Sequence, residues 1–297
     1  MRVSAANQAL VLAVAERLVP SMNGAATERF AQVLEDWCLG ALSPDDASWF
    51  EEAARQAVEA GAVEAWTARL QAFARQGVSL VTVCDPEYPS NLRMVGDRPP
   101  LLFVRGSVEA ADDRAIAVVG TRKPSPEGAA LAYRLAAELV ERHVTVVSGL
   151  AEGIDTAAHR GALEAGGRTL AVFGTGIQHV YPSSNRGLAD DIAASGACVS
   201  QFMPDMRGTR WSFPVRNGVT SALAVGTVVV EAGETSGARI QAEHALRHAK
   251  RLFLHRSLLA QPWAAATAGR AGVSVIDGVD EVVAAVDAEL LPAPSLL

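Results

Sequence analysis

The chain has 297 residues, 49% of them hydrophobic, enough to bury a full core in one large domain with a smaller companion. Its formal charge is −7, from 26 basic and 33 acidic residues, which excludes a cationic footprint spread over the whole surface. Any anion site must be local, built from a few arginines and backbone amides. The three cysteines, Cys38, Cys84 and Cys198, are far apart and odd in number. That pattern predicts reduced thiols, a cytoplasmic setting and no structural zinc. The six histidines are scattered, so no metal is expected. The apolar run 9–15 is too short to span a bilayer and breaks into Glu16 and Arg17, so neither a signal peptide nor a membrane helix is expected.

Residues 1–76 read as a helical N-terminal domain. Leu10, Val14 and Leu18 recur at helical spacing, residues 20–24 form a turn, and 27–39 form a second helix. Ser43 is placed as an N-cap, with Pro44 at the first helical position and Asp45 and Asp46 in the first turn. The region is net acidic and holds no lysine. Residues 77–290 read as the second domain, with a lead-in at 77–114 and a sheet core at 115–290. The lead-in carries short strands at 78–83 and 101–104. From Ala115 apolar strands (116–119, 145–147, 169–173, 225–230, 252–254) alternate with helices (127–142, 156–165, 188–195, 238–249). Strands with no polar alternation are buried on both faces. The fold class is therefore α/β: a doubly wound, mainly parallel, Rossmann-like sheet. Its ligands are expected at the C-terminal strand ends. The last residues, with Pro292 and Pro294, read as a frayed tail.

The strand ends carry the chemistry. Gly120, Thr121, Arg122, Lys123 and Ser125 follow the first core strand, where small residues let backbone approach an anion and two cations add charge. Ser148, Gly149 and Gly153 follow the second, and Gly174 and Gly176 the third, which predicts a polar shelf along one sheet edge. Asp155 stands where an N-cap is expected, and His159 reads as a packing or hydrogen-bonding residue. A later loop interleaves Arg207, Arg210, Trp211, Phe213, Arg216 and Asn217, a mixture suited to phosphates and stacked bases. Glu231 at a strand end could orient an arginine or meet a ligand hydroxyl, and Ser236 can cap the helix beginning near Gly237. There is no GxGxxG fingerprint, Walker lysine, nucleophile elbow or paired carboxylate, so no catalytic residue and no cofactor are expected.

Taken together, the runs 117–125 and 146–163, Tyr181-Pro182 with Asn185-Arg186, Phe213-Pro214 with Arg216-Asn217, Val230-Glu231-Ala232 and Ser236-Gly237 resemble the DprA/Smf family. The resemblance covers roughly residues 77–255. It implies a cytoplasmic protein that is not an enzyme and that binds single-stranded DNA. It further implies a homodimer that hands DNA to a RecA-type recombinase in natural transformation, with no membrane role. Leu223, Val225, Leu246 and Leu252 are candidates for the dimer contact, and equally for the core. The chain departs from the family pattern at Gln201, at Gly218, at Ala238–Gln241 and at His255-Arg256, and a C-terminal winged helix is not expected. Two other readings stand beside this one. One is a nucleotide-derived small-molecule sensor or nucleoside-phosphate glycosidase of the related Rossmann-like superfamily, whose double-glycine loop is absent before Glu234. The other is an interaction module acting through the acidic N-terminal helices.

Overall fold

The computed structural model describes residues 4–19, 22 and 24–290. The turn expected at 20–24 lies partly, and the tail at 292–294 wholly, outside the described residues. Four helices open the chain: α1 (Ala5–Leu18), α2 (Ala25–Leu39), α3 (Pro44–Glu59) and α4 (Ala62–Ala74). Ser43 caps α3 by accepting from the amide of Asp46, with Pro44 in the first turn. In α2 the buried residues Phe30, Ala31, Val33 and Leu34 recur three to four apart, so one stripe faces the core.

Then follow β1 (Val78–Thr82), a short α5 (Ser90–Arg93), β2 (Leu101–Gly106), β3 (Ala115–Val119), α6 (Pro126–Glu141), β4 (Thr145–Ser148) and α7 (Ile154–Glu164). The chain continues through β5 (Thr169–Val172), α8 (Arg186–Ser195), β6 (Ala197–Ser200), α9 (Ser212–Ala222), β7 (Gly226–Val229) and α10 (Gly237–Arg247). It closes with β8 (Arg251–His255), α11 (Pro262–Thr267), β9 (Val273–Ile276) and α12 (Asp280–Leu290). One sheet of nine strands runs in the order β1-β2-β6-β5-β4-β3-β7-β8-β9. The pairs from β6 to β9 are parallel, while β2 is antiparallel to both β1 and β6. The doubly wound α/β expectation thus holds. The lead-in strands join the same sheet as its edge instead of preceding it.

The chain winds outward from β3 in one direction through β4, β5 and β6, then returns to β7 and winds the other way. The switch between β3 and β7 opens a crevice at their C-terminal ends. The loops after β3, β4 and β5 share that edge because the three strands are adjacent and parallel.

The N-terminal helices do not form a separate core. Val11, Leu12 and Phe30 belong to one buried cluster with Phe103, Val172 and Phe202. Phe73 meets Phe103 edge-on, with ring centroids 6.4 Å apart.

Two expectations are corrected and a third is narrowed. Cys38 and Cys84 form a disulfide, with Cα atoms 6.2 Å apart. The end of α2 packs against the turn after β1, a proximity hidden by 46 residues of separation. Cys198 is the free, buried thiol, and burial pushes its pKa up to about 11. Second, residues 212–222 are a helix, not a loop. Pro214 sits in the first turn of α9, where no intrahelical amide bond is lost, and Val219 and Ala222 anchor the helix by burial. Third, of the two readings open for Leu223, Val225, Leu246 and Leu252 the core one holds for three: Leu223, Val225 and Leu252 are buried in the chain's own core, and half-buried Leu246 packs on the cluster holding Leu252. Among the described residues, no helix is long and apolar enough to cross a membrane.

Candidate functional site

The crevice at the β3/β7 switch is a cleft of about 1100 Å³. Its walls are the β3–α6 loop, the loops after β5 and β6, the first turns of α9 and the N-terminal end of α10. Six cationic side chains line it: Arg122, Lys123, Arg186, Arg207, Arg210 and Arg216. Asp155 is the one acid on the wall, and it is buried. Arg122, Lys123, Arg186, Arg207 and Arg210 have no ion-pair partner among the described residues.

The β3–α6 loop is held from both sides. Thr121 donates its amide to Glu231 O at 2.7 Å and accepts from Ile154 N at 3.2 Å. Its hydroxyl accepts from Lys123 N. At the far end the Glu231 carboxylate accepts from Ser125 N (3.1 Å) and Ser125 Oγ (2.8 Å), and that same Oγ caps α6 by accepting from Gly128 N. Glu231 therefore orients the end of the cationic loop; it holds no arginine and does not line the cleft. Arg122 and Lys123 are left exposed on a fixed loop, with the Arg122 guanidinium 5.6 Å from the centre of the Phe213 ring.

Arg216 has a different role. It is 5% exposed on α9, and Nη1 donates to Val172 O at 2.7 Å and to Gly149 O. Burial lowers its pKa to about 10, against the opposing pull of Asp155. Asp155 accepts from Gly149 N at 3.1 Å and Ala151 N at 3.3 Å, and burial raises its pKa. It lies inside α7, whose cap is Gly153, so the capping expectation is corrected: the carboxylate ties down the loop after β4. His159 is fully buried with Nδ1 2.7 Å from Thr169 Oγ1. Burial, then the Arg216 charge, lowers its pKa to about 3. It is the packing and hydrogen-bonding residue expected.

The glycines have another use than the one expected of them. A side chain at Gly149 would run into the Arg216 guanidinium, one at Gly174 into Phe213, and one at Gly176 into the backbone of Met203 and Pro204. Gly153, at φ +83°, lets the loop after β4 lie against the backbone of Thr121 and Arg122. The room these residues leave is filled by protein, so the loops and α9 pack closely beneath the cleft. Ser148 likewise turns inward, donating to Val118 O at 2.7 Å.

Of the residues singled out in the sequence, Gly120, Thr121, Arg122, Lys123, Asp155, Arg210, Arg216, Asn217, Ser236 and Gly237 line the cleft. Ser125, Ser148, Gly149, Gly153, Gly174, Gly176, His159 and Glu231 stand behind it. Ser236 caps α10 as expected, accepting from Ala238 N at 3.3 Å. Arg186, Arg207 and Tyr181 join the wall without having been chosen as site residues. Their runs were visible as arginines among aromatics, but nothing local says which face they present. Asn185 supplies the link: its amide donates to Leu150 O and to Thr156 Oγ1, both at 2.9 Å, fixing the segment that carries Arg186.

Residues 79–286 match the model of the DNA recombination-mediator protein A family. The chain belongs to that family. The DNA processing protein DprA of Bacillus subtilis is 35% identical to it over 196 residues, 66% of each chain. The DprA of Streptococcus pneumoniae is 38% identical over 172 residues, 58% of this chain and 61% of that one. Escherichia coli Smf is 38% identical over 167 residues, 56% and 45% of the two chains. The chain thus spans about two thirds or less of these relatives' lengths. The solved structure of the S. pneumoniae DprA superposes with a TM-score of 0.72 at 26% identity, covering 96% of this chain and 98% of that one. The DNA processing protein A of Helicobacter pylori, described for its single-stranded DNA binding mode, shares the fold at a TM-score of 0.63 and 24% identity, over 71% and 96% of the two chains.

Proposed function

We propose that the cleft binds single-stranded DNA. The observation that carries this is the concentration of cations: five without ion partners among the described residues, around one cleft of a chain whose net charge is −7. Arg122, Lys123 and Arg210 take successive phosphates, with Arg186 and Arg207 extending the track. The N-terminal end of α10, at Ser236, Gly237 and Ala238, adds its positive dipole to the same wall. Tyr181, 55% exposed on the cleft wall, supplies a face for a base to stack on, and Trp211, 39% exposed and next in the chain to Arg210, supplies a second one beside the cleft. Arg216 serves as the floor that sets this geometry. Membership of a recombination-mediator family supports two finer readings: that the DNA is passed to a RecA-type recombinase in natural transformation, and that the working unit is a homodimer. The cleft reads as a binding site and not a catalytic one, in keeping with membership of a recombination-mediator family.

The deciding experiment is a titration against a single-stranded oligonucleotide, its duplex and mononucleotides at two salt concentrations. Tightest binding to the single strand, weakening with salt, is expected. Equal or tighter binding of a mononucleotide would transfer the cleft to a small-molecule ligand. Sedimentation at micromolar concentration tests the dimer, and capture of the recombinase on a protein–DNA complex tests the hand-off.

A further inference from the structure

On the other side of α9 a second pocket, of about 640 Å³, lies between the N-terminal helices and the α9–α10 pair. Its polar members are unlike those of the cleft. Thr27 and Gln201 are each 5% exposed, and neither Thr27 Oγ1 nor Gln201 Oε1 has a hydrogen-bond partner among the described residues. The Gln201 amide is held from its other end, where Nε2 donates to Met22 O at 2.9 Å, so Oε1 is fixed in place. The His248 side chain is 5% exposed, with Nε2 2.8 Å from Asp97 Oδ1. Nδ1 of the same ring has no hydrogen-bond partner among the described residues. Three nine-tenths-buried side chains thus face one pocket with an unpartnered polar atom: Gln201 Oε1 is an acceptor, and Thr27 Oγ1 and the His248 ring nitrogen can each serve as donor or acceptor.

The rest of the wall narrows the chemistry. Leu92, Val95, Val219 and Ala222 are apolar, which suits the face of a planar ring. The acids Asp97 and Glu28 line the pocket, and Arg247, the nearby cation, is 3.2 Å from Asp97. A phosphate would meet two carboxylates and a cation already engaged. The unpartnered oxygens of Gln201 and Thr27, facing a slot with apolar walls, match the N–H edge of an uncharged base. Gly218 makes the space: a Cβ there would lie 3.3 Å from His244 Nδ1 and 4.0 Å from His248 Cε1, so any longer side chain would enter the pocket.

We propose that this pocket is a second ligand site, one that takes an uncharged nucleoside bearing an exocyclic amine, oriented by Thr27, Gln201 and His248. It is independent of the DNA reading of the cleft. The two sites share α9, with Arg216 and Asn217 on the cleft and Gly218 and Val219 on the pocket. A nucleoside seated here is therefore placed to adjust the cleft floor.

The test uses the full chain carrying Arg122→Ala, Lys123→Ala and Tyr181→Ala, which weakens binding at the cleft, and the pocket variants below separate the two sites. Adenosine, cytidine, N6,N6-dimethyladenosine and adenosine monophosphate are titrated by calorimetry, with melting temperature measured in parallel. Adenosine or cytidine should bind, the dimethylated and phosphorylated forms about tenfold or more weaker, because each loses donors or adds charge. Thr27→Val should weaken binding about threefold to tenfold without lowering the melting temperature, since the hydroxyl it removes has no partner to lose. Gly218→Leu should abolish binding by filling the pocket. Three results would overturn the proposal: no binding by either nucleoside at millimolar concentration, meaning that solvent alone occupies the pocket; equal binding of the dimethylated form; or binding unchanged in Thr27→Val. None of them bears on oligonucleotide binding by the unmutated cleft.

Discussion

Two sets of arginines in this molecule make a contrast. Away from the cleft many are engaged within the chain: Arg168 with Asp112 at 2.9 Å and Glu109 at 3.1 Å, Arg114 with Asp287 at 2.7 Å, Arg105 with Asp190 at 2.8 Å. At the cleft Arg122, Arg186, Arg207 and Arg210, with Lys123, have no ion partner among the described residues. The difference lies in what surrounds them. The loops at the β3/β7 switch contribute glycine, serine, threonine and asparagine, and two of their acids, Asp155 and Glu231, turn inward to hold backbone. Net charge is therefore a poor guide to partners. An acidic chain can still present a local cationic field where one wall gathers more cations than acids. Arg216 stands between the groups: it reaches the cleft, but its guanidinium is bonded to the protein.

That division can be broken by mutation. The largest effect should come from Arg216→Met. It leaves Asp155 buried without its cation and two carbonyls without a donor, and should cost about 3–5 kcal/mol in chemical denaturation. The loss should shrink as pH falls, because the carboxyl of Asp155, already raised by burial, then protonates and no longer needs a counter-charge. A near-neutral result would return Arg216 to the ligand-binding group.

Replacing Arg122, Lys123 and Arg210 together by alanine should leave the fold stable. It should reduce the log–log salt dependence of oligonucleotide binding by roughly 2, about 0.7 for each phosphate that is no longer neutralised, with affinity falling alike for all sequences. Unchanged slope and affinity in a folded triple variant would remove the proposed track.

Trp211→Ala sharpens the same contrast from the other direction. It should weaken single-strand binding by about 1–3 kcal/mol and leave the salt slope unaltered, since stacking releases no counterions. A changed slope would mean that the ring positions a cation instead of a base.

The smallest effect is expected for Arg114→Gln. Its pair with Asp287 is partly solvated, so stability should move by no more than about 1 kcal/mol, and oligonucleotide affinity not at all. A drop in affinity would show that the cationic field extends beyond the cleft.

Much of this was legible in the residues. Unbroken apolar strands such as 116–119 announce a parallel sheet, and the loops after β3, β4 and β5 do share one edge. The turn that carries Arg122 and Lys123 was readable for the same reason. What misled was composition read locally. Pro214, Asn217 and Gly218 look like loop, yet α9 forms because its burial outweighs weak propensity. The glycines at 149, 174 and 176 look like room for an anion, yet protein fills that room.

By itself, then, the order of residues determined the alternation of strands and helices, the doubly wound sheet and the family. These follow from periodicity and from short motifs, which are properties of neighbours along the chain. Only the tertiary structure decided which cations remain free, that Cys38 meets Cys84, and that Thr27, Gln201 and His248 face one pocket. Each of those depends on which partners, tens to hundreds of residues away, arrive within bonding distance. Ion pairing, disulfide formation and burial are all set by that encounter, and no local pattern encodes it.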